Sequence, residues 1–255
     1  QLVLAVIRQR AKKGKGRALT FDGALMSKAR AQVPYTLTRS QERALDEIRS
    51  DLQSASRMVR LLQGDVGSGK TIVAFMAMLM AIEAGTQTAF MAPTEILAQQ
   101  HFDTLEPLAA SLGLKVALLM GRTGRDQRTS ILRDVESGDT QVLIGTHALF
   151  QDQIAFRDLG LAVVDEQHRF GVHQRMQLRS KGDATNVLVM TATPIPRTLT
   201  LAVYGDMDVS RLTERPPGRK PIKTTVVSMD RLDEVIAALQ RALDAGESIF
   251  WVCPL

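Results

Sequence analysis

The segment that most restricts what this chain can fold into is GDVGSGKT, residues 64–71, which stands between two apolar runs. The run before it, MVRLLQ at 58–63, has the composition of a buried strand, and the run after it, 72–82, is apolar throughout, as in a buried helix. Three glycines between them let the backbone curl tightly, because no side chain blocks the approach of another group. The pattern G-x-x-x-x-G-K-[ST] between a strand and a helix predicts a loop that wraps a phosphate chain.

Each position of this loop has a predicted task. Backbone N–H groups are expected to surround the phosphates, and the start of the next helix directs its positive dipole end at the same anion. Lys70 is expected to reach the β- and γ-phosphates, and the hydroxyl of Thr71 to bind Mg²⁺. The predicted cofactors are therefore ATP and Mg²⁺. The residues predicted to bind the nucleotide in this loop are Gly64, Gly67, Ser68, Gly69, Lys70 and Thr71.

A second motif, LAVVDEQH at 161–168, supplies the carboxylates that such a loop needs. Its apolar run ends at Asp165 and Glu166, so both side chains should emerge at the carboxyl edge of the sheet, where ligands bind in such folds. Asp165 is predicted to hold Mg²⁺, mostly through water, and Glu166 to orient the attacking water and accept its proton. His168 is predicted to join this catalytic group, and an ordinary turn histidine is the alternative. The four histidines lack metal-ligand spacing, so no zinc site is predicted.

The strand candidates predict an α/β fold with a parallel sheet. Six runs are nearly continuous in apolar character rather than alternating, which is typical of strands buried on both faces between layers of helices. They lie at 58–63, 87–92, 115–120, 141–145, 161–165 and 186–191. A helix is predicted to begin near Thr38 or Ser40, because apolar residues then recur on one face at Ala44, Leu45, Ile48 and Leu52.

A proline-rich stretch, ERPPGRKPIK at 214–223, indicates a connection to a second unit. Beyond it, a strand (TTVVSM), a helix from Asp230 to about Ala245 and a strand (SIFWVC) predict the first β-α-β unit of a second domain. The predicted domains are a basic helical connector at 1–34, a main α/β domain at 35–215, and the linker with the start of a second domain at 216–255. Because the chain begins without methionine and ends inside an apolar run, we expect a fragment of a longer protein.

Basic charge is concentrated at the start of the chain. Residues 1–40 carry nine Lys or Arg and one acid, whereas the remainder carries 23 basic and 26 acidic residues. The segment RQRAKKGKGR, 8–17, is either a solvated connector or an arm that faces a polyanion. The longest apolar run, 72–82, is shorter than the about 20 residues of a membrane span, and the single Cys253 excludes an intramolecular disulfide. We expect no membrane partner and a cytoplasmic location.

Taken together, the motifs resemble those of the superfamily 2 helicases and translocases. TLTRSQ at 36–41 is similar to the Q motif, GDVGSGKT to motif I, and APTEILAQQH at 92–101 to motif Ia. GTHALF at 145–150 is similar to motif Ib, DEQH to motif II, and TATPIPRT at 191–198 to motif III. They occur in the family's order, and the resemblance implies one complete RecA-like P-loop NTPase domain followed by the start of a second.

The resemblance also implies roles for residues outside the phosphate loop. Gln41 would read the adenine edge, with Tyr35 near the ring. Thr191 and Thr193 would couple the nucleotide site to the nucleic acid through hydroxyl hydrogen bonds. Short polar groups would contact the DNA backbone without reading sequence, and each has a helix cap or loop hydrogen bond as its alternative. The residues implied for DNA are Thr94, Gln99, Thr146 and His147.

Within this superfamily the motifs are most similar to the RecG-type branched-DNA helicases. That likeness implies ATP-driven remodelling of branched DNA (replication forks and Holliday junctions) by a monomer with a wedge domain and a second motor domain. Transcription-repair coupling translocases share several of these motifs, and an RNA helicase or a non-enzymatic nucleotide sensor are further alternatives. An arginine finger would belong to the second motor domain, and its loss lowers the rate of related phosphoryl-transfer enzymes by a factor of about 10³–10⁵. We therefore expect this chain alone to hydrolyse ATP slowly.

Overall fold

The computed structural model describes residues 16–150, 154–165, 185–193, 207–214 and 224–252. The chain divides into two compact units, Gln1–Pro217 and Gly218–Leu255. The first fifteen residues of the basic helical connector predicted at 1–34 lie outside the described residues.

A parallel sheet of seven strands forms the centre of the described part of the first unit. In chain order the strands are β1 (Val59–Gly64), β2 (Gln87–Met91), β3 (Val116–Leu119), β4 (Val142–Gly145), β5 (Leu159–Val164), β6 (Asn186–Thr191) and β7 (Asp208–Leu212). Every pairing is parallel, and the spatial order is β3-β4-β2-β5-β6-β1-β7. The predicted parallel α/β sheet and its six predicted strands are confirmed. The edge strand β7 was not predicted, because its sequence DVSRL is only partly apolar.

Five α-helices of the described part of this unit connect and cover the strands, and a short 3-10 helix, His147–Phe150, follows β4. They are α1 (Ala24–Gln32), α2 (Arg39–Leu52), α3 (Lys70–Glu83), α4 (Glu95–Ser111) and α5 (Arg125–Ser137). The predicted start of α2 is confirmed, since Thr38 caps it and its apolar face is buried. The short helix α1, ahead of Pro34, was not predicted. No described helix is both long enough and apolar enough to cross a membrane.

Helix α3 lies at the centre of the larger hydrophobic core. Its residues 72–82 are all buried, which confirms the buried helix predicted from this run. It packs against the sheet together with α2 and α4 through Leu45, Ile48 and Leu105. The second core, on the other side of the sheet, is built around Leu61, Val164 and Val189. Both faces of the central strands are therefore covered, as their continuous apolar sequences require.

A charged cluster ties α2 to the start of β1. The guanidinium of Arg60, on a residue that is only 7% exposed, donates to Asp51 at 2.8 Å, to Glu47 at 3.1 Å and to the hydroxyl of Ser210 at 2.9 Å. A buried arginine is tolerated only when its donors are paired, and here two carboxylates and a hydroxyl pair them.

Helix α1 is attached to the far end of α3 by one carboxylate. Glu83, the last residue of α3, accepts backbone N–H groups of Gly23 at 3.0 Å and of Ala24 at 2.7 Å. Burial raises the pKa of Glu83, and its hydrogen bond with Asp22 raises it further. The same hydrogen bond is the largest cause that lowers the pKa of Asp22. The pKa values of the two neighbouring carboxyl groups are therefore shifted in opposite directions.

The described part of the second unit holds a short 3-10 helix, Met229–Arg231, and α6, Leu232–Asp244. The predicted helix is confirmed. The strands predicted at 224–229 and 248–253 are wrong for the residues that the structure describes, since 224–228 and 248–252 form no strand. Two apolar segments cannot make a stable parallel pair by themselves, because a small sheet needs further strands or a covering layer.

Candidate active site

The loop between β1 and α3 has the tight backbone expected of GDVGSGKT. Gly67 and Gly69 have φ values of 71° and 83°, in the left-handed region that favours glycine. A Cβ added at Gly69 would lie 2.2 Å from Nε2 of Gln41, so a larger residue there would displace the Gln41 amide. Helix α3 begins at Lys70, directly after this turn. The loop and the helix start therefore form one unit, with the helix N-terminus at its base.

Lys70 folds back over its own loop. Its Nζ donates to the carbonyl oxygen of Gly64 at 2.8 Å and to that of Asp65 at 3.0 Å. Inside the loop the N–H of Ser68 donates to the Asp65 carbonyl at 3.0 Å. The ammonium charge is thus held at the mouth of the loop, and contact with a phosphate would exchange carbonyl partners for phosphate oxygens.

Gln41 joins helix α2 to this loop. Its Oε1 accepts the backbone N–H of Thr38 at 2.8 Å, which completes a capping box, and its Nε2 donates to the Ser68 carbonyl at 2.8 Å. The residue is only 1% exposed. The structure therefore shows Gln41 as a brace between two backbone segments, and its contact with adenine stays a prediction.

A cavity of about 480 Å³ opens next to this brace. Tyr35, Leu37 and Met76 give it aromatic and aliphatic walls, and Tyr35 is 48% exposed. Its charged side is the ion pair of Arg30 and Glu42, with two parallel N–H···O contacts of 2.5 and 2.6 Å. Hydrogen bonding to Glu42 raises the pKa of Arg30. A cavity of this size, with aromatic and aliphatic walls beside fixed charged groups, suits a flat heterocycle.

Asp165 directly follows β5, at the same sheet edge as the phosphate loop. Its backbone N–H continues the ladder to the Met91 carbonyl at 2.8 Å. One carboxylate oxygen, Oδ2, lies 2.7 Å from Nε2 of His101, and the two side chains are 12% and 13% exposed. The ring of His101 also contacts Phe90, with centroids 4.5 Å apart. His101 was not predicted as a functional residue, although it is the last residue of APTEILAQQH.

The predicted Mg²⁺ ligands are hard oxygen donors, which is the chemistry that this ion prefers. Thr71 lies in the first turn of α3 and is partly buried, and Asp165 lies at the end of β5. The residues therefore fit such an ion. The other predicted catalytic residues, Glu166 and His168, lie outside the described residues. Within the described ranges, no three side chains of the His, Cys, Asp or Glu type cluster as a metal site.

The residues predicted to couple the sites lie at the end of β6, beside the phosphate loop. The hydroxyl oxygens of Thr191 and Thr193 are 2.9 Å apart, and the backbone N–H of Thr193 donates to the hydroxyl oxygen of Thr191 at 3.2 Å. The carbonyl of Thr193 accepts from Nε2 of Gln63 at 3.1 Å. Gln63 immediately precedes Gly64, so this segment is bonded to the base of the loop. Sequence analysis missed Gln63, because it reads as part of a strand.

The four residues predicted to contact DNA follow β2 and β4, which are neighbours in the sheet. Thr94 accepts the N–H of Leu97 at 3.3 Å and so caps α4, as the alternative interpretation expected. Gln99 donates to Asp103 at 2.8 Å. Thr146 is buried and His147 is exposed. They share one edge of the sheet, and their contact with DNA stays a prediction.

A comparison with protein families decides the affiliation of this fold and site. Residues 38–202 match the model of the DEAD/DEAH box helicase family. The chain belongs to this family. The match runs from the cap of α2 through the phosphate loop and Asp165 to the segment after β6, and the cavity walls formed by Arg30, Tyr35 and Leu37 lie just before it.

Individual relatives agree with this assignment. The chain is 46% identical over 242 residues to the ATP-dependent DNA helicase RecG of Streptococcus pneumoniae, covering 95% of this chain and 36% of that protein. It is 50% identical over 223 residues to RecG of Bacillus subtilis, covering 88% of this chain and 33% of that protein. The chain thus spans about a third of the length of the curated relatives it matches.

Solved structures show the same fold. A structure of RecG bound to a three-way DNA junction superposes with a TM-score of 0.82 at 44% identity, covering 96% of this chain and 33% of that one. The DUF1998 helicase MrfA bound to DNA and AMPPNP matches with a TM-score of 0.64 at 17% identity, covering 90% of this chain and 36% of that one, which supports the fold alone. The predicted RecA-like α/β fold is confirmed.

Proposed function

We propose that this chain is the first motor domain of an ATP-dependent DNA helicase that acts on branched DNA. Sequence identity of 44% to a RecG that was solved with a three-way DNA junction supports the substrate. The observation that carries the proposal is the sheet edge itself, where the phosphate loop after β1, Asp165 after β5 and Thr193 after β6 lie at the carboxyl ends of parallel strands. Ligands bind at this edge in open α/β sheets.

The proposed chemistry is hydrolysis of the terminal phosphate of ATP. The N–H groups of 67–69 and the start of α3 surround the phosphates, and Lys70 exchanges its carbonyl partners for phosphate oxygens. Thr71 and Asp165 would hold Mg²⁺, which would supply positive charge to neutralise the phosphates. Glu166 orients the attacking water and accepts its proton, and His168 assists at the same site. The cavity beside Tyr35 holds the adenine, next to the brace formed by Gln41.

The proposed nucleic-acid contacts lie at the neighbouring part of the same edge. Thr94, Gln99, Thr146 and His147 would hold DNA phosphates through short polar groups, which position a strand without reading its sequence. Thr191 and Thr193 would couple a movement of the DNA to the nucleotide site, because the carbonyl of Thr193 accepts a hydrogen bond from Gln63 at the base of the phosphate loop. Each round of ATP binding and hydrolysis would then alternate the grip on the strand.

The rest of the machine is proposed to lie elsewhere in a longer protein. The relatives are about three times as long as the matched region, which leaves room for a wedge domain and the remainder of a second motor domain. Residues 218–255 form a compact unit of their own and would begin that second domain, with residues 1–34 as the connector from the wedge. We propose that the protein acts as a monomer in the cytoplasm.

The experiment that tests this function uses the full-length protein and the substitution Lys70→Ala. We expect the variant to bind fork DNA like the wild type but to lose ATP-dependent unwinding, because the lysine acts on the nucleotide and not on the DNA. ATP hydrolysis is measured in parallel with fork DNA, linear duplex, single-stranded DNA and RNA. Unwinding by Lys70→Ala, or equal stimulation by linear duplex and by forks, would contradict the proposal, and the second result would favour a duplex translocase.

A further inference from the structure

A side-chain contact joins helix α4 to the nucleotide edge of the sheet. Nε2 of His101, in the middle of α4, lies 2.7 Å from Oδ2 of Asp165. Both side chains are nearly buried, at 13% and 12% exposure. Neither group can exchange this contact for water without moving, so the contact restrains the two side chains more than a surface ion pair would.

The two atoms have complementary roles in this contact. A carboxylate oxygen accepts hydrogen bonds and a ring nitrogen of histidine can donate one, so we assign Nε2 of His101 as the donor to Oδ2 of Asp165. The ring cannot turn away easily, because it packs against Phe90 with centroids 4.5 Å apart and planes inclined by 48°, and Phe90 is fully buried on β2. The imidazole therefore holds one oxygen of Asp165 in a fixed direction.

We propose that His101 is a positioning residue for Asp165. By binding Oδ2 it directs the other oxygen, Oδ1, towards the Mg²⁺ and phosphates that the proposed function assigns to this carboxylate, and the proposal rests on that function. Partners of metal-binding carboxylates act in this way, since they fix the orientation of the ligand. His101 itself contacts neither the nucleotide nor the reacting atoms.

The position of His101 gives this contact a second consequence. Helix α4 begins at Glu95, capped by Thr94 at the edge proposed for DNA, and His101 lies six residues further along. At 1.5 Å per residue this is about 9 Å of helix. A shift of α4 caused by DNA would therefore move the group that orients Asp165, so α4 links the two sites in addition to the link through Thr193.

The test compares three variants of the full-length protein. His101→Leu keeps the bulk beside Phe90 but removes the N–H. His101→Gln keeps a side-chain N–H at a similar reach and is the conservative variant. Gln100→Leu places the same leucine on the adjacent, exposed position of α4 and is the matched control. The affinity of each for a fluorescent ATP analogue is measured with Mg²⁺ and with EDTA, together with the ATPase rate and its stimulation by fork DNA.

We expect His101→Leu to weaken nucleotide binding in Mg²⁺ by about 10–100-fold, as for other partners of metal ligands, with binding in EDTA unchanged. His101→Gln should recover most of this loss, and Gln100→Leu should behave like the wild type. Equal weakening in EDTA, an unaffected His101→Leu, or a His101→Gln as weak as His101→Leu would each overturn the positioning role. A wild-type protein that neither binds nor hydrolyses ATP would instead refute the proposed function, and this inference with it.

Discussion

The buried brace formed by Gln41 predicts a loss of stability that is independent of nucleotide. In Gln41→Ala the N–H of Thr38 loses its side-chain acceptor and the carbonyl of Ser68 loses its donor. The first loss removes half of a capping box, at about 1 kcal/mol. The second leaves a buried carbonyl without this partner, at about 1 kcal/mol or somewhat more. Together they predict that the free energy of unfolding falls by about 2 kcal/mol.

The assay is thermal unfolding of the protein without nucleotide, followed by circular dichroism. For a domain of 150–250 residues, about 2 kcal/mol corresponds to a fall in Tm of roughly 4–8 °C. Gln99→Ala is the control, because the Gln99 side chain makes an exposed hydrogen bond to Asp103 on the same helix. Its loss should change the free energy of unfolding by less than about 0.5 kcal/mol.

A second substitution separates the brace from any role in binding adenine. Gln41→Glu keeps an oxygen for the Thr38 N–H but turns the Nε2 donor, 2.8 Å from the Ser68 carbonyl, into a second acceptor. Two acceptors at this distance repel, so Gln41→Glu should lower Tm at least as much as Gln41→Ala. If both variants unfold like the wild type and differ from it only in ATP affinity, the reasoning from the brace is refuted.

Two further predictions concern the attachments of α2 and α1. Arg60→Met should lower the free energy of unfolding, measured by urea denaturation, by about 2 kcal/mol; this is less than the 3–5 kcal/mol of a fully buried pair, because Glu47 and Asp51 are partly exposed. The control is Arg49→Met, whose partner Asp46 is 3.7 Å away on the surface, and it should change the free energy of unfolding by less than about 0.5 kcal/mol. Equal effects of the two substitutions would contradict this account. The pKa of Glu83 in the folded protein is raised above its ordinary value of 4.5. The folded protein therefore keeps the proton on this carboxyl to a higher pH than the unfolded chain does. The stability that protonation of Glu83 contributes is lost as the pH rises from 4.5 through the folded-state pKa. The amide of Glu83→Gln does not ionise, but its nitrogen cannot accept a backbone N–H as the carboxylate oxygen does, so a constant loss in Tm is expected at every pH. In addition, Tm measured from pH 4 to 7 should show the variant gaining on the wild type with rising pH, and a difference in Tm that does not vary with pH would show that Glu83 does not titrate in this way.

The sequence alone determined the sheet and the loop. Runs that are nearly continuous in apolar character favour burial on both faces, so 87–92, 161–165 and 186–191 were predicted as strands of a parallel sheet. GDVGSGKT specifies its own turn, because Gly67 and Gly69 adopt φ values that other residues avoid. These properties depend on residues that are adjacent in the sequence, so they can be predicted without knowing the tertiary contacts.

Only the tertiary structure decided which groups meet. Gln41 and Ser68 are 27 residues apart, and His101 and Asp165 are 64 residues apart, so no periodicity or spacing could pair them. The same limit explains the segments 224–228 and 248–252, whose apolar sequences favour strands that did not form. A strand or a buried polar contact exists through its partner, and the partner is chosen by the fold rather than by the residues adjacent in sequence.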